Sequence, residues 1–303
     1  MIENISLYNS TLKSSLELGM VNTPHYILET CDWGSVQSNN YSYKYINQIG
    51  SQITNTTLEE RDISISGWIV ADSKAQMTAL KEFISGFFNP LQIIELTYKT
   101  YKLSFRPATS IQYGQGNDGN NEVIVKFNVD GVCSYPLFED VQSTYHKSAA
   151  YQGNFHFPLT ISENPNPPGG VIFGEKITAR SSRFNIINKG DVDTGCIITF
   201  GCMAGTLKNP SVIDVNTGSY FKLNKELVKG ETVTINTNIG SKSIRGKLED
   251  VEANYFHYRD YDSDWLQLKV GDNVWFYQAD ENEENLSVQI EFTNKYLEVQ
   301  EWD

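Results

Sequence analysis

The stretch Leu58-Glu-Glu-Arg-Asp-Ile-Ser-Ile-Ser-Gly-Trp-Ile-Val70 decides the reading of the fold. Ile63, Ile65 and Ile69 alternate with polar or small residues, the period of two that puts one strand face in a core and the other in water. Directly after it, Ser73 with Gln76 three positions on makes a capping box. Met77, Leu80, Ile84, Phe87 and Phe88 then recur at helical spacing until Asn89-Pro90 stops the helix. An apolar helical stripe that follows a strand packs on that strand's sheet. Further strands near Leu91 to Leu96, Tyr98 to Phe105 and Glu122 to Val129 complete an α+β first domain holding the one α-helix that the pattern supports.

Outward from this region, composition sets the bounds. The chain has 303 residues, about twice the usual domain, so two domains are expected. Its 17 Tyr and 15 Phe against 4 Met favour strands, where rings pack on pleated faces. Lys and Arg number 24 against 37 Asp and Glu, a net charge of −13, with no basic run anywhere. That balance argues against partners that present phosphate, either nucleic acid or an anionic membrane. The acid concentrates only around Asp280 to Glu284 and reads as a soluble, mutually repelling surface. Cys31, Cys133, Cys196 and Cys202 form no C-x-x-C pair, lie in or beside apolar stretches, and read as reduced thiols. Met1-Ile2-Glu3-Asn4 starts no signal peptide and no window approaches the ~18 apolar residues of a spanning helix. The expected place of synthesis is a cytoplasm, from which something else carries the protein out.

Ser162-Glu-Asn-Pro-Asn-Pro-Pro-Gly-Gly170 supplies neither ladder donors nor core side chains and reads as an exposed loop near a domain boundary. The expected division is 1–150, a linker over 151–170, and 171–303. Beyond the loop, β-like runs alternate with turns at Asn188-Lys-Gly-Asp191, Asn216-Thr-Gly218, Val228-Lys-Gly-Glu231, Ile239-Gly240 and Val270-Gly-Asp272, the regularity of an antiparallel sandwich.

The search for chemistry yields no site. Gly114-Gln-Gly116-Asn-Asp-Gly119 matches G-x-G-x-x-G, but it opens the strand pattern Glu122-Val-Ile-Val-Lys-Phe127 where a dinucleotide fingerprint must open a helix, so it reads as a hairpin loop. Asp260-Tyr-Asp262-Ser-Asp264 begins like a calcium loop, yet Trp265 stands where the turn needs Gly and Gly271 where a bidentate Glu is needed. His25, His146, His156 and His257 are scattered without metal-ligand spacing, and no nucleophile elbow is present. No catalytic residue, cofactor site or metal ligand is therefore assigned, and the chain is expected not to be an enzyme. Trp265, Trp275, Phe276 and Tyr277 offer a sugar-stacking platform, with strand-core packing the more common fate of such rings.

The order of these features resembles the siphophage distal tail protein family over nearly the whole chain. In the first half the resemblance is carried by Leu58 to Gly67, the following helix and its Phe88-Asn-Pro90 end. In the second half it rests on Phe155-His-Phe-Pro-Leu159, Asn188-Lys-Gly-Asp191, Asn209-Pro210, Asn216-Thr-Gly218, Lys229 to Thr237, and Leu268-Lys-Val-Gly-Asp-Asn273. The resemblance implies an N-terminal ring-forming domain and a C-terminal galectin-like β-sandwich. It further implies a homohexameric ring at the distal end of the virion tail, joining the tail tube protein to the tail-tip hub protein, with receptor-binding or adhesin proteins docking on the second domain. Sugar binding does not follow from that fold, because the His-Asn-Arg and Trp-Glu cluster of true galectins is missing. The rival reading is a carbohydrate-binding module that touches the host surface through the sandwich, recognisable by an exposed aromatic row. A tail-associated hydrolase would need converging carboxylates or a metal constellation, and the sequence presents neither.

Overall fold

The computed structural model describes residues 2, 4–21, 23–114, 123–148, 151–152, 175–176 and 183–299. The chain separates into two compact units, one made of Met1–Gln142 with Lys295–Asp303, the other of Ser143–Asn294. The division therefore falls at Gln142 and again at Lys295, so the chain's last segment returns to the first unit. A split into 1–150 and 171–303 does not contain that return, because two short strand residues at the end of the chain carry little sequence signal of their own. Most of the expected linker, including Ser162 to Gly170, lies outside the described residues.

In the first unit the strands are β1 (Asn4–Asn9), β2 (Ser14–Gly19), β3 (Tyr26–Asp32), β4 (Ser38–Tyr43), β5 (Gln52–Leu58), β6 (Arg61–Val70), β7 (Ile94–Tyr98), β8 (Tyr101–Pro107), β9 (Gln112–Tyr113), β10 (Ile124–Cys133) and β11 (Phe138–Asp140), with helix α1 (Lys74–Phe87) after β6. Sheet order closes through a β8–β10 pairing, so β8, β7, β1, β2, β3, β6 and β10 make a barrel. The alternation read in the sequence is the burial pattern of β6: Ile63, Ile65 and Ile69 point into the core while Ser64, Ser66 and Trp68 are half-buried. Gly67 belongs to the inward set because nothing larger fits; a Cβ there would lie 2.4 Å from Ile27 O and 2.8 Å from Phe127 Cζ. Ile5, Leu7, Leu16 and Leu18 supply the same pattern from β1 and β2.

Helix α1 begins where the capping box places it. Ser73 Oγ accepts from Gln76 N, although Gln76 Oε1 reaches back to Asp72 N, one residue earlier than the usual reciprocal bond. Met77, Ile84 and Phe87 are buried, with Leu80 packed partly against the core. Side chains of the barrel then take helix carbonyls: Asn9 Nδ2 donates to Phe87 O, Tyr26 Oη to Leu80 O and Tyr113 Oη to Lys81 O. The strands after the helix are shifted from expectation. Pro90 to Ile93 is turn, and Lys99 adopts φ 52°, which breaks the expected run from Tyr98 to Phe105 into a tight hairpin.

The second unit contains β12 (Thr144–Lys147), β13 (Tyr151–Gln152), β14 (Glu175–Lys176), β15 (Arg183–Asn188), β16 (Ile197–Cys202), β17 (Thr206–Asp214), β18 (Tyr220–Lys222), β19 (Glu226–Val228), β20 (Thr232–Asn236), β21 (Ser243–Leu248), β22 (Val251–Asn254), β23 (Gly271–Glu281) and β24 (Leu286–Phe292). One sheet runs β12-β24-β16-β20-β21-β22, the other β15-β23-β17-β18 with β19 on β17, and every pairing among them is antiparallel. Between the sheets lie Ile198, Phe200, Val233, Ile235 and Ile290 from one side and Ile186, Leu207, Val212, Phe221 and Trp275 from the other, the packed core of a β-sandwich. The last strand, β25 (Lys295–Tyr296), pairs with β11 in the first unit, and Tyr296 and Val299 join that unit's core. Among the described residues the protein is mainly β with one α-helix, and no helix is long and apolar enough to cross a membrane.

Candidate assembly interface

The feature of the first unit that buries nothing is the β4–β5 hairpin. Its sequence, Ser38-Asn-Asn-Tyr-Ser-Tyr and Gln52-Ile-Thr-Asn-Thr-Thr-Leu58, is rich in residues that favour strands, yet every position on both strands is exposed. The two strands form a sheet of their own and pair with no barrel strand. Local bonds hold it: Tyr43 Oη donates to Gln52 Oε1 at 2.7 Å, Thr54 Oγ1 to Tyr41 O at 2.9 Å and Thr56 Oγ1 to Asn40 Oδ1 at 2.6 Å. A lone two-stranded hairpin is marginal in water, so this one gains from any surface that covers it. Its tip concentrates apolar groups, with Tyr45 set edge-on to Tyr43 at 4.9 Å, Ile46 95% exposed and Ile49 fully exposed. Between Ser38 and Leu58 the only charged residue is Lys44. Exposed apolar side chains with few charges are the composition of a surface that another protein covers.

The base of the hairpin is fixed by Arg61, at the start of β6 and 0% exposed. Its Nε donates to Pro136 O at 2.9 Å and its Nη1 to Gly34 O at 3.2 Å. Nη2 donates to Leu297 O, Glu298 lies at 3.4 Å, and the guanidinium sits 4.8 Å from the Phe138 ring centre. Burial lowers its pKa and the Glu298 carboxylate opposes that shift. The chain before the hairpin, the chain after it and the returning C-terminal segment thus meet on one side chain.

Other residues singled out in the sequence have structural roles. Of Gly114 to Gly119 only Gly114 lies within the described residues; its N–H donates to Lys126 O beside the antiparallel β9–β10 pairing, and the hairpin-loop reading of the remainder lies outside the described residues. Asp260 accepts from Asn224 Nδ2, Asp262 N and Tyr220 Oη, bonds that hold its carboxyl below the usual range, Asn224 contributing most. Among the described residues no three of His, Cys, Asp and Glu gather as metal ligands. His25 Nδ1 lies 3.1 Å from Val70 O, His146 stacks on Phe292, His257 lies against Tyr258, and His156 is outside the described residues. The four cysteines are free thiols; burial pushes Cys31, Cys133 and Cys196 each up to about 12. Trp275 and Tyr277 are core, Phe276 faces the opposite side of β23, and Trp265 lies on a loop, so the four aromatics form no shared row. What the sequence reading missed is the hairpin and Arg61; the signal for the first was a strand-favouring stretch that lacks any apolar alternation.

Comparison with known proteins agrees with this architecture. The family described as "Phage tail protein RIFT-related domain" matches residues 27–129, in the barrel unit. The family described as "Siphovirus-type tail component, C-terminal domain" matches residues 189–296, most of the sandwich with β25. Among solved structures, the SPP1 Dit protein, described as a paradigm of hub adsorption apparatus in phages that infect Gram-positive hosts, aligns with TM-score 0.65 at 11% identity over 96% of this chain and 98% of its own. A chain of the phage P2 baseplate in its activated conformation aligns with TM-score 0.52 at 13% identity over 99% and 100% of the two chains. Among curated proteins nothing matches. Barrel and sandwich together, each with its own tail-component match, define a structural component of a siphovirus tail. The chain belongs to the siphophage distal tail protein family and is a structural component of the tail.

Proposed function

We propose that the first unit forms a closed ring of six copies that joins the tail tube above to the tail-tip hub protein below, and that host-adhesion proteins dock on the second unit. The observation that carries the ring is the β4–β5 hairpin, whose Ile46 and Ile49 are almost wholly exposed among the described residues. A cyclic assembly repeats one heterologous contact around an axis, so each copy must offer two different complementary faces. A projecting hairpin is one such face, and the neighbouring copy's barrel supplies the other. A ring of this kind works by holding parts together, needs no catalytic residue or cofactor, and is assembled in the host cytoplasm before it enters the virion. The net charge of −13 and the lack of basic runs suit a bore through which DNA passes without being held.

The test is native mass spectrometry on the full chain. The expected species is six times the 34.3 kDa protomer, and Ile46→Asp with Ile49→Asp should release monomers that keep the parent's β-rich circular dichroism and a cooperative melt, at a lower temperature because the assembly no longer stabilises them. A parent that stays monomeric at every concentration, or a double variant that still closes the ring, overturns the reading.

A further inference from the structure

The sandwich unit carries an open cleft of about 430 Å³ between the end of β17, the turn after β20 and the loop that leads into β23. Its aromatic wall is Trp265, the one residue of the four weighed for sugar stacking that is neither in a strand nor fully buried. Phe221 and Phe256 brace the indole at 5.7 and 5.8 Å, Arg259 lies 5.6 Å from the ring centre, and the exposed Lys242 reaches over it at 5.5 Å. Among these only Lys242 also lines the cleft.

The polar groups of the cleft divide into spent and unspent. Asp214 accepts from Asn216 N and Thr217 Oγ1, which makes it a brace for its own turn, and Lys269 is paired with Asp193 at 2.7 Å. Gln267 Nε2 donates to Thr237 O, which leaves its Oε1 over. The Asp264 carboxylate and the Ser219 hydroxyl make no hydrogen bond with the described residues. The cleft therefore offers an aromatic wall with unpaired oxygen acceptors beside it.

We infer that this cleft is a binding site for a neutral hexopyranose unit. A pyranose presents an apolar C–H face that stacks on an aromatic ring and a rim of hydroxyl donors, which match the Asp264 carboxylate and Gln267 Oε1; Ser219 Oγ can donate or accept. Anionic ligands are disfavoured, since the one lining cation without a carboxylate partner among the described residues, Lys242, shares the cleft with the Asp264 and Asp214 carboxylates and no arginine fork lines it. The volume lies within the roughly 300–1,000 Å³ common to small-ligand clefts. This site stands apart from the ring, and its failure would leave the ring untouched.

The experiment uses the full chain and a panel of methyl hexopyranosides with gluco, galacto, manno and N-acetyl configurations, read by tryptophan fluorescence and saturation-transfer NMR. At least one glycoside should bind saturably with a Kd of about 1 mM, the affinity of a small open contact. Asp264→Asn, at an exposed position, should weaken it by about tenfold. Trp265→Ala should abolish binding, and a melting curve checks that it still folds. Lys242→Ala should leave affinity unchanged or raised. The assignment is overturned if no glycoside saturates the signal, if Asp264→Asn binds as tightly as the parent, or if Lys242→Ala abolishes binding, which would put the contact on the ammonium and not on the indole and its acceptors.

Discussion

Arg61 shows how one side chain can carry the closure of a unit. A guanidinium with no exposure is tolerable only because backbone carbonyls from Pro136, Gly34 and Leu297 replace its water, and because Phe138 offers a ring face. Arg61→Met removes the charge but strands those carbonyls, so the expected loss is about 3–5 kcal/mol of unfolding free energy. Arg61→Lys should recover little, since one ammonium cannot reproduce the planar fork. Urea unfolding checks both; a loss below about 1 kcal/mol for Arg61→Met would mean that the carbonyls find other donors. Nothing in the sequence flagged this residue, because an arginine before an alternating strand is ordinarily solvent-exposed and the groups that cover this one, around Gly34, Pro136 and Leu297, are distant in the chain.

Among elements, the turn between β19 and β20 ties sequence to pH response. Gly230 takes the left-handed conformation at φ 82°, and Glu231 behind it is buried, accepting from Val228 N at 3.0 Å and Tyr255 Oη at 2.9 Å and pairing with Lys225 at 2.9 Å. Burial pushes this carboxyl up, but the bonds from Lys225, Val228 and Tyr255 prevail and hold it below the ordinary 4.5. A depressed folded-state pKa gives stability that is present above 4.5 and lost as pH falls through the folded value. Glu231→Gln should therefore cost about 1–3 kcal/mol near neutrality and flatten the loss of stability below pH 4.5, as followed by urea unfolding at stepped pH. An acid limb as steep as the parent's would rule Glu231 out as its source. Elements of this kind were legible: Lys229-Gly230-Glu231 marks its turn, Ser73 and Gln76 mark the helix start, and Ile63, Ile65 and Ile69 mark β6. The β4–β5 hairpin was not, because alternation reports burial within a chain and this element has none. The Trp265 cleft was half legible: the aromatic was visible, but its separation from Trp275 and Tyr277 depends on a loop that periodicity does not describe.

At the scale of the whole molecule, the sandwich is an insertion into the barrel unit. Phe138 pairs with Tyr296 and Glu139 with Lys295 on the barrel side, while Thr144 pairs with Phe292 on the sandwich side. A chain stopped near Ala150 loses β25 and the Leu297 carbonyl that Arg61 binds, so it should fold poorly. One in which Gln142 is joined to Lys295 through a short Gly-Ser link should keep a cooperative melt and still assemble. Calorimetry and light scattering on both distinguish the outcomes, and a stable 1–150 fragment would show that the return is dispensable. The same return sets an order of events on the ribosome. The barrel's strands emerge early, yet the unit's core lacks Tyr296 and Val299 until the whole sandwich has been translated. Chains cut short by an early stop, a broken message or a protease inside the sandwich lack the strand that pairs with β11 and fills out the first unit's core. Such copies lack Tyr296 and Val299 in the core and the Leu297 carbonyl on Arg61, so truncation anywhere in the sandwich should be felt as a loosened first unit.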